Sequence, residues 1–515
     1  MRCRINIFLF VMMMCQATMA QIHVTFSDID RWTVDSLAPY VGKTVIFDNP
    51  MVVCDNANGI KVSTRRLYTP TNQALPNSAE YLTIKSLNSI GSVTLNGVEN
   101  GYHRCGEKIY NLKTKVTSIS NLDYIDGDWH GNTQADLEAM DIHEMVGTAG
   151  CDSCLVVCTY NIENYSAGTT TKRKKIISAL KKVDADVYGL VEVNGNMATR
   201  NELVTYLNEA LPERQYKVCS EKDQKESNQI AICIYDSKKI KHLGFVYFND
   251  KRTSNRKKLY FLEQVADKES FIFSVNHFKA KSGSGTGANA DMNDGQGGWN
   301  ADRQEEAQSV IDSYKNWSGS TGEKDILIMG DLNSYGKEDP IRVLADNGMI
   351  DLHRAFHADS SYSYRYLSRE PDLVGYLDHA LCSSTMRAQV TGMMAFHINS
   401  DENYSSSSNT SMFRGSDHDP IVVGLRLNGA AYYDPSPKIN NVEILTGEAD
   451  KLIIRDAYSE TQKSFYAIYD INGHLISKEQ ITNELFEVAL PQASGFYIVY
   501  VYHNGQAYQN RMVVR

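Results

Sequence analysis

Residues 325–334 read DILIMGDLNS, an apolar run that stops abruptly at the carboxylate of Asp331 and the amide of Asn333. An apolar run of this length that is bounded by glycine predicts a buried strand in a sheet covered on both faces. Because residues two apart on a strand lie on the same side, Asp331 and Asn333 should emerge together at its end. There they would hold a reacting phosphate and its attacking water between them. Taken alone, the stretch is more typical of a strand followed by an Asx turn.

The rest of residues 151–428 predicts strands and helices that alternate around this strand. Strands are predicted at 155–160 and 186–193 and, as two pairs, at 215–219 with 229–235 and at 259–266 with 270–277. Amphipathic helices are predicted at 171–183, 200–211 and 301–314, the last of them capped by Asn300. This order favours an α/β fold of two packed sheets with helices outside them.

The 515 residues exceed one ordinary core and predict roughly two to four domains, with a β-rich region on each side of the α/β region. Residues 21–150 predict a small, OB-like β-barrel, from short runs at 44–47, 81–85, 92–95 and 116–119. Since no basic stripe with interleaved aromatic residues marks it, a structural or spacer role is favoured over nucleic-acid binding. Residues 429–441 are a predicted linker, and residues 442–515 predict a β-sandwich with a hairpin turn at Asn472-Gly473.

The first twenty residues differ from the rest of the chain. Arg2 and Arg4 precede the apolar run 5–15, and small residues lie just before Gln21, a pattern typical of a secretory signal peptide. The apolar run is too short to span a membrane, so we expect no stable membrane insertion. We expect cleavage after Ala20 and export of the protein.

The chain is acidic, with a formal net charge of −10, and becomes more acidic once the leader removes Arg2 and Arg4. An acidic chain gains no overall attraction for nucleic acid. A polyanionic substrate must therefore be held locally, by a metal ion and a few basic side chains.

Of the ten cysteines, Cys3 and Cys15 leave with the leader, and export would allow the others to form disulfides. The spacing of Cys151, Cys154 and Cys158 resembles a metal or redox site. Because no second ligand cluster follows, a disulfide or inert thiols are favoured there. The pairing of the others stays open, including Cys219 and Cys233, which flank a predicted turn, and Cys54 and Cys105, which both lie in the N-terminal region.

Five other segments of the α/β region place polar residues suited to phosphate chemistry in or just after a predicted strand. They are residues 160–164 (YNIEN), 189–193 (GLVEV), 276–281 (NHFKAK), 376–381 (YLDHAL) and 416–420 (SDHDP). A charged Glu192 between apolar neighbours would be costly unless it were paired or bound to a cation. Each acid or histidine alone is more often a cap, a salt-bridge partner or a satisfied core residue. Five such segments in one region indicate a shared site.

Over about residues 154–428 these segments resemble the endonuclease/exonuclease/phosphatase superfamily, which includes DNase I and the apurinic endonucleases. The segments with Asn161, Glu192, Asp331 and His418 occur in that family's order. The NHFK segment and the glycine-rich loop after it are most similar to the secreted bacterial nucleases of the family. The resemblance implies a four-layer α/β sandwich and a divalent cation as cofactor, Mg²⁺ first, with Mn²⁺ or Ca²⁺ as alternatives.

The resemblance implies metal ligands at four matching positions. Glu192 would be the main ligand, supported by Asn161, and Asp417 would lie beside the metal. Glu163 matches a position that is a metal-binding acid in some members only. Carboxylate and amide oxygens are the ligands that a hard cation prefers.

The resemblance also implies catalytic roles. Asp331 would orient or deprotonate the attacking water, and Asn333 would position the phosphate. His418 would be hydrogen-bonded to Asp378, which fixes its tautomer and favours its charged form. His277 would contact a non-bridging phosphate oxygen. Hydrolysis of a phosphodiester needs an in-line water and relief of the negative charge on the phosphate, and this set can supply both.

Three basic residues are candidates for holding a polyanionic backbone, namely Lys279, Lys281 and Arg303. A solvated surface would explain them equally well. The glycine-rich loop 282–298 is either a substrate flap or simply a disordered segment.

The C-terminal region resembles, more weakly, the sorting domain of the type IX secretion system, in residues 466–473 (YAIYDING), 494–499 (SGFYIV) and 512–515 (MVVR). This resemblance implies an export machinery as a partner and a location at the cell surface or in the medium. The alternative is a plain adhesive β-sandwich.

These observations predict a secreted, metal-dependent phosphodiesterase that hydrolyses DNA or RNA. Little sequence specificity is expected, since nothing in the chain resembles a reader of the major groove. Two alternatives stay open: a phosphatase or phospholipid phosphodiesterase of the same superfamily, and a non-catalytic surface adhesion protein. No feature of the sequence indicates an oligomer.

Overall fold

The structure is a computed structural model in which the chain divides into two compact units, Met1–Ala431 and Tyr432–Arg515. It describes residues 21–25, 34–57, 59–88, 91–98, 102–219, 229–247, 256–283, 285–357, 360–366, 373–403, 410–427, 443–446, 451–455, 464–470, 475–482, 485–489, 495–503 and 506–514. The predicted leader, linker and Asn472-Gly473 turn lie outside these residues. Within them, no helix is long and apolar enough to cross a membrane. The predicted domain boundaries stay predictions.

The described part of the N-terminal region, residues 21–150, forms one sheet with short helices around it. Its strands are β1 (Ile22–Val24), β2 (Thr44–Phe47), β3 (Met51–Asp55), β4 (Ile60–Ser63), β5 (Val93–Asn96), β6 (Lys108–Ser118) and β7 (Asn121–His130). Its helices are α1 (Pro70–Gln73), α2 (Ala79–Asn88), α3 (Gln134–Ala139) and α4 (Ile142–Met145), with a 3-10 helix at Val34–Tyr40. The strand order is β1-β2-β6-β3-β4-β5-β7, and β6 also pairs with β7. The barrel itself stays a prediction.

The strand predicted at 81–85 is wrong, because this run lies in helix α2. The hydroxyl of Ser78 accepts a hydrogen bond from the backbone N–H of Tyr81 at 3.1 Å, which satisfies one of the free donors at the start of the helix. Tyr81 is buried and Leu82 beside it is exposed. Burial at Tyr81 and again at Asn88 follows one helical stripe rather than the alternation of a strand.

The α/β region, residues 151–428, contains the strands and helices predicted from the sequence, with shifted ends. Its strands are β8 (Leu155–Tyr165), β9 (Val187–Val193), β10 (Tyr216–Val218), β11 (Ile230–Asp236), β12 (Ile240–Tyr247), β13 (Lys257–Gln264), β14 (Ser270–His277), β15 (Ile326–Asp331), β16 (Ile350–Asp351), β17 (Tyr364–Tyr366), β18 (Leu373–Gly375), β19 (Asp378–Cys382), β20 (Val390–Ala395) and β21 (Ile421–Leu425). Its helices are α5 (Thr170–Val183), α6 (Met197–Ala210), α7 (Asn300–Thr321), α8 (Asp339–Asp346), α9 (Leu352–His357) and α10 (Ser384–Arg387), with a 3-10 helix at Gly287–Asn289.

Two mixed sheets face each other in this region. The first has the order β10-β11-β9-β8-β21-β20 and the second the order β12-β13-β14-β15-β19-β16. One apolar cluster, which includes Val157 of the first sheet and Phe273 of the second, lies between them. Two further clusters join the outer faces to helices, α5 and α6 on the first sheet and α7 and α8 on the second. This arrangement agrees with the predicted α/β fold.

Helix α7 begins one residue earlier than predicted. Its cap residue is Trp299, in the left-handed conformation with a φ of 66°, and Asn300 is its first residue. The Asn300 amide donates to Asp339 Oδ2 at 2.9 Å, on helix α8. The predicted cap is therefore wrong, because a carboxylate of a neighbouring helix takes the Asn300 side chain.

Strand β15 is buried in the second sheet, as predicted, and ends at Asp331. Gly330 just before it has a φ of +123°, a conformation that favours glycine. A Cβ at this position would lie 2.1 Å from the carbonyl oxygen of Asn276 on β14. The two strands therefore approach closely here because residue 330 has no side chain.

One disulfide joins Cys151 and Cys154, just before β8, which is one of the outcomes favoured from their spacing. Cys219, Cys233, Cys54 and Cys105 are buried and lie outside any disulfide. The bridge considered between Cys219 and Cys233 is therefore not formed in this structure.

The described part of the C-terminal unit consists of strands. They are β22 (Glu443–Thr446), β23 (Lys451–Arg455), β24 (Ser464–Asp470), β25 (Leu475–Ile481), β26 (Leu485–Ala489), β27 (Gly495–His503) and β28 (Gln506–Val514). They form two sheets, with the orders β22-β23-β26 and β25-β24-β27-β28. The β-rich character is as predicted, while the sandwich and the sorting role stay predictions.

Candidate active site

The register of three neighbouring strands brings predicted site residues side by side. His277 at the end of β14 is the partner of Asp331 at the end of β15, and Asp331 is the partner of Asp378 at the start of β19. Partners on neighbouring strands are the closest side-chain neighbours in a sheet. Asn161 on β8 and Glu192 on β9 approach the same point from the facing sheet.

Glu192, His277 and Asp331 form the first group of the site, with one ligand atom from each within 4.8 Å of the others. His277 Nε2 lies 3.6 Å from Glu192 Oε1 and 3.6 Å from Asp331 Oδ2. Asn161 Nδ2 donates to both carboxylates, at 3.2 Å to Glu192 and 3.1 Å to Asp331. Asn161 Oδ1 accepts from the backbone N–H of Glu163 at 2.9 Å. Carboxylates from the two sheets thus converge, and Asn161 presents its nitrogen rather than the predicted oxygen ligand.

Asp331, Asp378 and His418 form the second group, and all three are buried. His418 Nδ1 donates to Asp378 Oδ2 at 2.7 Å. His418 Nε2 lies 3.8 Å from Asp331 Oδ2. This oxygen of Asp331 is therefore common to the two groups.

The two histidines of the site differ in charge. Burial lowers the pKa of His277 well below its ordinary value, and the Arg256 guanidinium lowers it further. Burial also disfavours the charged form of His418, but the carboxylates of Asp378 and then Asp331 outweigh it and raise the pKa of His418 well above its ordinary value. Near neutral pH, His277 is neutral and His418 is charged.

Burial raises the pKa of Asp331 to about 7, and Asp378 adds to this rise while His418 opposes it. A carboxyl group whose pKa is close to the working pH can accept a proton and release it again. Asp331 is therefore suited to take a proton from water.

Asn333 holds the Asp331 carboxylate. Its backbone N–H donates to Asp331 Oδ1 at 2.8 Å, and its Nδ2 donates to Asp331 Oδ2 at 3.3 Å and to the Phe278 carbonyl at 3.1 Å. These contacts differ from the predicted role in positioning the phosphate, because the amide donors are engaged within the protein.

Arg256 and Ser363 are two site residues that the sequence did not reveal. Arg256 Nη2 lies 2.7 Å from both ring nitrogens of His277. Ser363 Oγ donates to Asp378 Oδ2 at 2.7 Å and accepts from the Asp378 backbone N–H at 3.1 Å. The only signal for Arg256 is its place just before β13, the partner strand of β14. Ser363 gives no signal, because nothing in SYSYRY suggests a contact with a residue fifteen positions later.

Two predicted metal ligands lie outside both groups. Glu163 has a φ of 48° and its exposed carboxylate pairs with Lys172 Nζ at 2.9 Å. This corrects the predicted role of Glu163, because its carboxylate faces Lys172 at the surface. Asp417 is next to His418 in the chain and contacts Ser416 Oγ at 3.4 Å, but neither group includes it.

Arg303 is fully buried and anchors the glycine-rich loop. Its guanidinium donates to the carbonyls of Gln296 at 2.8 Å and Gly298 at 2.7 Å. This corrects the prediction that Arg303 holds the substrate, since its side chain is fully buried. Arg303 thereby ties residues 296–298 of the loop to helix α7, and the substrate flap stays a prediction.

The other two predicted cations, Lys279 and Lys281, have different partners. Lys281 pairs with buried Glu338, and burial lowers the pKa of Lys281 to about 8. Lys279 lies with its ammonium 4.6 Å from the centroid of the Trp299 ring, and its charge reaches His277, whose pKa it helps to lower. Of these two, Lys279 is the better placed to meet a substrate phosphate.

The matched part of the chain contains every residue of the two groups. Residues 158–418 match the Endonuclease/Exonuclease/phosphatase family. The chain belongs to this family. Members of the Endonuclease/Exonuclease/phosphatase family are hydrolases that act on phosphoester bonds.

Solved structures similar to the chain include proteins of this family. An endonuclease/exonuclease/phosphatase from Bacteroides vulgatus is 16% identical, with 53% of this chain and 99% of that chain covered and a TM-score of 0.38. The human Nocturnin catalytic domain with bound sulfate is 14% identical, with 53% of this chain and 94% of that chain covered and a TM-score of 0.36. D. rerio TDP2 complexed with a single-strand DNA product is 14% identical, with 53% and 99% covered and a TM-score of 0.35. The comparison with curated proteins gives no significant match.

Enzymes of the Endonuclease/Exonuclease/phosphatase family generally depend on a divalent metal ion. The first group fits such an ion, because the oxygens of Glu192 and Asp331 converge beside an imidazole that is neutral. Converging carboxylates are costly to bury without a cation, and hard cations prefer oxygen ligands. The identity of the ion stays a prediction.

Proposed function

We propose that the protein is a metal-dependent phosphodiesterase that hydrolyses DNA or RNA with little sequence specificity. The observation that carries the proposal is the shared oxygen Asp331 Oδ2, which lies 3.6 Å from neutral His277 and 3.8 Å from charged His418. A proton acceptor between two imidazole donors is the arrangement that one phosphate and one attacking water require.

In this proposal Asp331 orients the attacking water and accepts its proton, since its pKa of about 7 leaves it partly ionised near neutral pH. His418, kept charged by Asp378, donates from Nε2 to a non-bridging phosphate oxygen. His277 donates to another such oxygen. Each acid–base contribution of this kind is worth about 10²–10⁴-fold in rate.

Glu192 would be the main ligand of the divalent cation beside Asp331, and we propose Mg²⁺ as this cation, with Mn²⁺ or Ca²⁺ as alternatives. A bound cation supplies neutralisation of the negative charge on the phosphate. Arg256, at 2.7 Å from His277, adds a fixed positive charge beside that imidazole.

A nucleic acid substrate is supported by aromatic and basic side chains beside the two groups. The Tyr364 ring lies 4.8 Å from the His418 ring, and the Trp299 ring lies against the Lys279 ammonium. Aromatic faces stack on any base and lysines hold the backbone, so such a surface binds single strands without reading sequence. This supports a nuclease over a phosphatase for small esters.

We also propose that the protein is exported to the cell surface or the medium. The disulfide between Cys151 and Cys154 supports this, because disulfides persist in oxidising compartments. N-terminal sequencing of the protein recovered from cells and medium tests it. A chain that begins at Gln21 outside the cytoplasm is expected, and an intact Met1 on a cytoplasmic protein would contradict export.

One incubation series tests the activity. Purified protein is incubated with plasmid, linear DNA, RNA, a phospholipid and a phosphomonoester, each with Mg²⁺, Mn²⁺, Ca²⁺ or a chelator. Cleavage of nucleic acid that the chelator stops and added metal restores is expected. Hydrolysis of the monoester or phospholipid with intact nucleic acid would support the phosphatase or phospholipid alternatives instead, and inertness towards all substrates would support the adhesion alternative.

A further inference from the structure

The loop 397–403 lies between the N-terminal region and the active site. Asn399, Ser400, Asp401 and Glu402 in this loop are fully buried, so four consecutive polar residues need partners inside the protein. Those partners come from two directions. Two acids of the loop contact the N-terminal region, and the residues just before them contact the segment that carries His418.

The N-terminal region supplies the positive charges for the two buried acids. Arg66 Nη2 donates to Asp401 Oδ1 at 2.5 Å, and Arg104 pairs with Glu402. Burial alone would raise the pKa of Asp401, but the Arg66 guanidinium and further cations outweigh it and hold that pKa below its ordinary value. Asp401 is thus a charged group that depends on Arg66, which lies 335 positions earlier in the chain.

Asn132 joins these charges into one network. Its Nδ2 donates to Asp401 Oδ2 at 2.8 Å and to the Cys105 carbonyl at 2.6 Å. The backbone carbonyl of Asn132 accepts from Arg104 Nη1 at 2.6 Å. Asn132 has a φ of 57°, so its backbone conformation is one that glycine adopts readily.

The same loop holds the backbone of His418 and the residue after it. Asn399 Nδ2 donates to the His418 carbonyl at 2.6 Å. Asp419 Oδ1 accepts from the backbone N–H groups of Asn399 at 2.8 Å and Ser400 at 3.0 Å. His397 Nδ1 lies 3.0 Å from Asp419 Oδ2. Movement of the loop would therefore move the backbone that carries His418.

We propose that Arg66 and Asn132 are positioning residues for His418, which act through the loop 397–403, and that the N-terminal region thereby completes the active site. Without Arg66, the Asp401 carboxylate would be buried and unpaired, which favours either its protonation or its movement towards water. Either change loosens the loop. On this proposal the N-terminal region is more than the predicted spacer, because two of its polar side chains help to position His418.

The effect on catalysis rests on the proposed function, and substitutions in the full-length protein test it with plasmid DNA and Mg²⁺. Asn132→Gly removes the contacts of the Asn132 side chain and keeps the backbone conformation. We expect kcat to fall by about 10-fold with KM nearly unchanged, because misplacement of a catalytic group mainly affects the transition state. Asn77→Gly is the matched control, since Asn77 is an exposed asparagine of the N-terminal region with a φ of 56°. Its kcat should equal that of the wild type.

Two substitutions at Arg66 test whether its positive charge is what matters. Arg66→Met should lower kcat by about 10- to 100-fold, and Arg66→Lys, which can still pair with Asp401, should recover most of that loss. Leu122→Ala, a change in the apolar core of the N-terminal sheet, is the control for a purely structural role. If Arg66 only stabilised the fold, Leu122→Ala should lower kcat as much as Arg66→Met when the two variants lose the same thermal stability.

Hydrogen exchange gives a readout that is independent of activity. The amides of Asn399 and Ser400 should exchange about 10-fold faster in Asn132→Gly and in Arg66→Met, but not in Asn77→Gly. Unchanged exchange, or an unchanged kcat in folded Asn132→Gly protein, would overturn the proposal. If the wild-type protein cleaves no phosphate ester, the proposed function fails, while the exchange rates still decide whether the N-terminal region controls this loop.

Discussion

The two sides of Asp331 contain the same residue types, an acid and a buried histidine, yet the histidines have opposite charge states. On one side Arg256 lies 2.7 Å from His277, and on the other Asp378 accepts from His418 at 2.7 Å. Both imidazoles are buried, and burial favours the neutral form of each. The Arg256 guanidinium reinforces this effect at His277, whereas the carboxylates of Asp378 and Asp331 outweigh it at His418. A histidine near an acid therefore does not by itself reveal which role it has.

The largest expected effect removes the group that the two sides share. Asp331→Asn takes away the proton acceptor and one carboxylate of the first group while it keeps the side-chain shape. We expect the rate of nucleic acid cleavage to fall by about 10³-fold with the thermal unfolding midpoint nearly unchanged. The control is Asp346→Asn at an exposed acid of helix α8. Activity of Asp331→Asn within a few-fold of the wild type would remove Asp331 from the mechanism.

A second substitution acts on the His418 side only. Asp378→Asn removes the carboxylate that raises the pKa of His418, so the charged form of His418 is lost at lower pH than in the wild type. The rate should fall by about 10²-fold at neutral pH. The ratio of variant to wild-type rate should decrease further as the pH rises from about 6 to about 8, since the wild-type His418 stays charged there.

The control for this pH profile is Asp346→Asn, at the exposed acid of helix α8. Its variant should show a ratio that does not depend on pH in this range. A flat ratio for Asp378→Asn as well would show that Asp378 does not set the charge of His418.

A third substitution acts on the His277 side. Arg256→Gln removes the charge that helps to keep His277 neutral, so the pKa of His277 should rise and His277 should take a proton as the pH falls. A charged His277 next to Glu192 competes with a cation. We expect a loss of about 10-fold in rate at neutral pH and a higher Mg²⁺ requirement at about pH 6 than at about pH 8. Arg342→Gln, at an exposed ion pair with Asp339, serves as the control. An unchanged Mg²⁺ requirement would refute this role of Arg256.

The smallest expected effect comes from one hydroxyl behind the His418 side. Ser363→Ala removes the donor to Asp378 Oδ2 and the acceptor of the Asp378 and Leu377 backbone N–H groups. The buried donors left behind should cost about 1–3 kcal/mol of unfolding free energy. The rate should fall only about 3-fold, because Asp378 still reaches His418. Ser360→Ala, at an exposed neighbour, should change neither quantity. A loss as large as that of Asp378→Asn would mean that Ser363 itself takes part in the reaction.

The sequence predicted the strand at 326–331 and the residues at strand ends, because both are local properties. An apolar run fixes the strand, and polar residues in or beside several predicted strands indicated a shared site. The family resemblance then implied that His277, Asp331, Asp378 and His418 belong to it. The pairing of β14, β15 and β19 then gave the register that the sequence could only suggest.

The features that the sequence did not predict depend on contacts between distant segments. Arg256 reaches His277 only through the pairing of β13 with β14, and Ser363 reaches Asp378 from outside any recognisable motif. Glu163 was misassigned because its backbone turns its side chain towards Lys172. Arg303 was misassigned because a basic residue on a helix looks the same in sequence whether it faces water or a buried loop.

Gly330 limits which substitutions the active site can tolerate. The separation between the imidazole of His277 and the carboxylate of Asp331 is set by two backbones in contact, with no side chain that could be trimmed or lengthened to adjust it. In a saturation library at position 330, glycine alone should survive selection for activity. Gly330 thus fixes the distance between His277 and Asp331, although it has no side chain that could take part in the reaction.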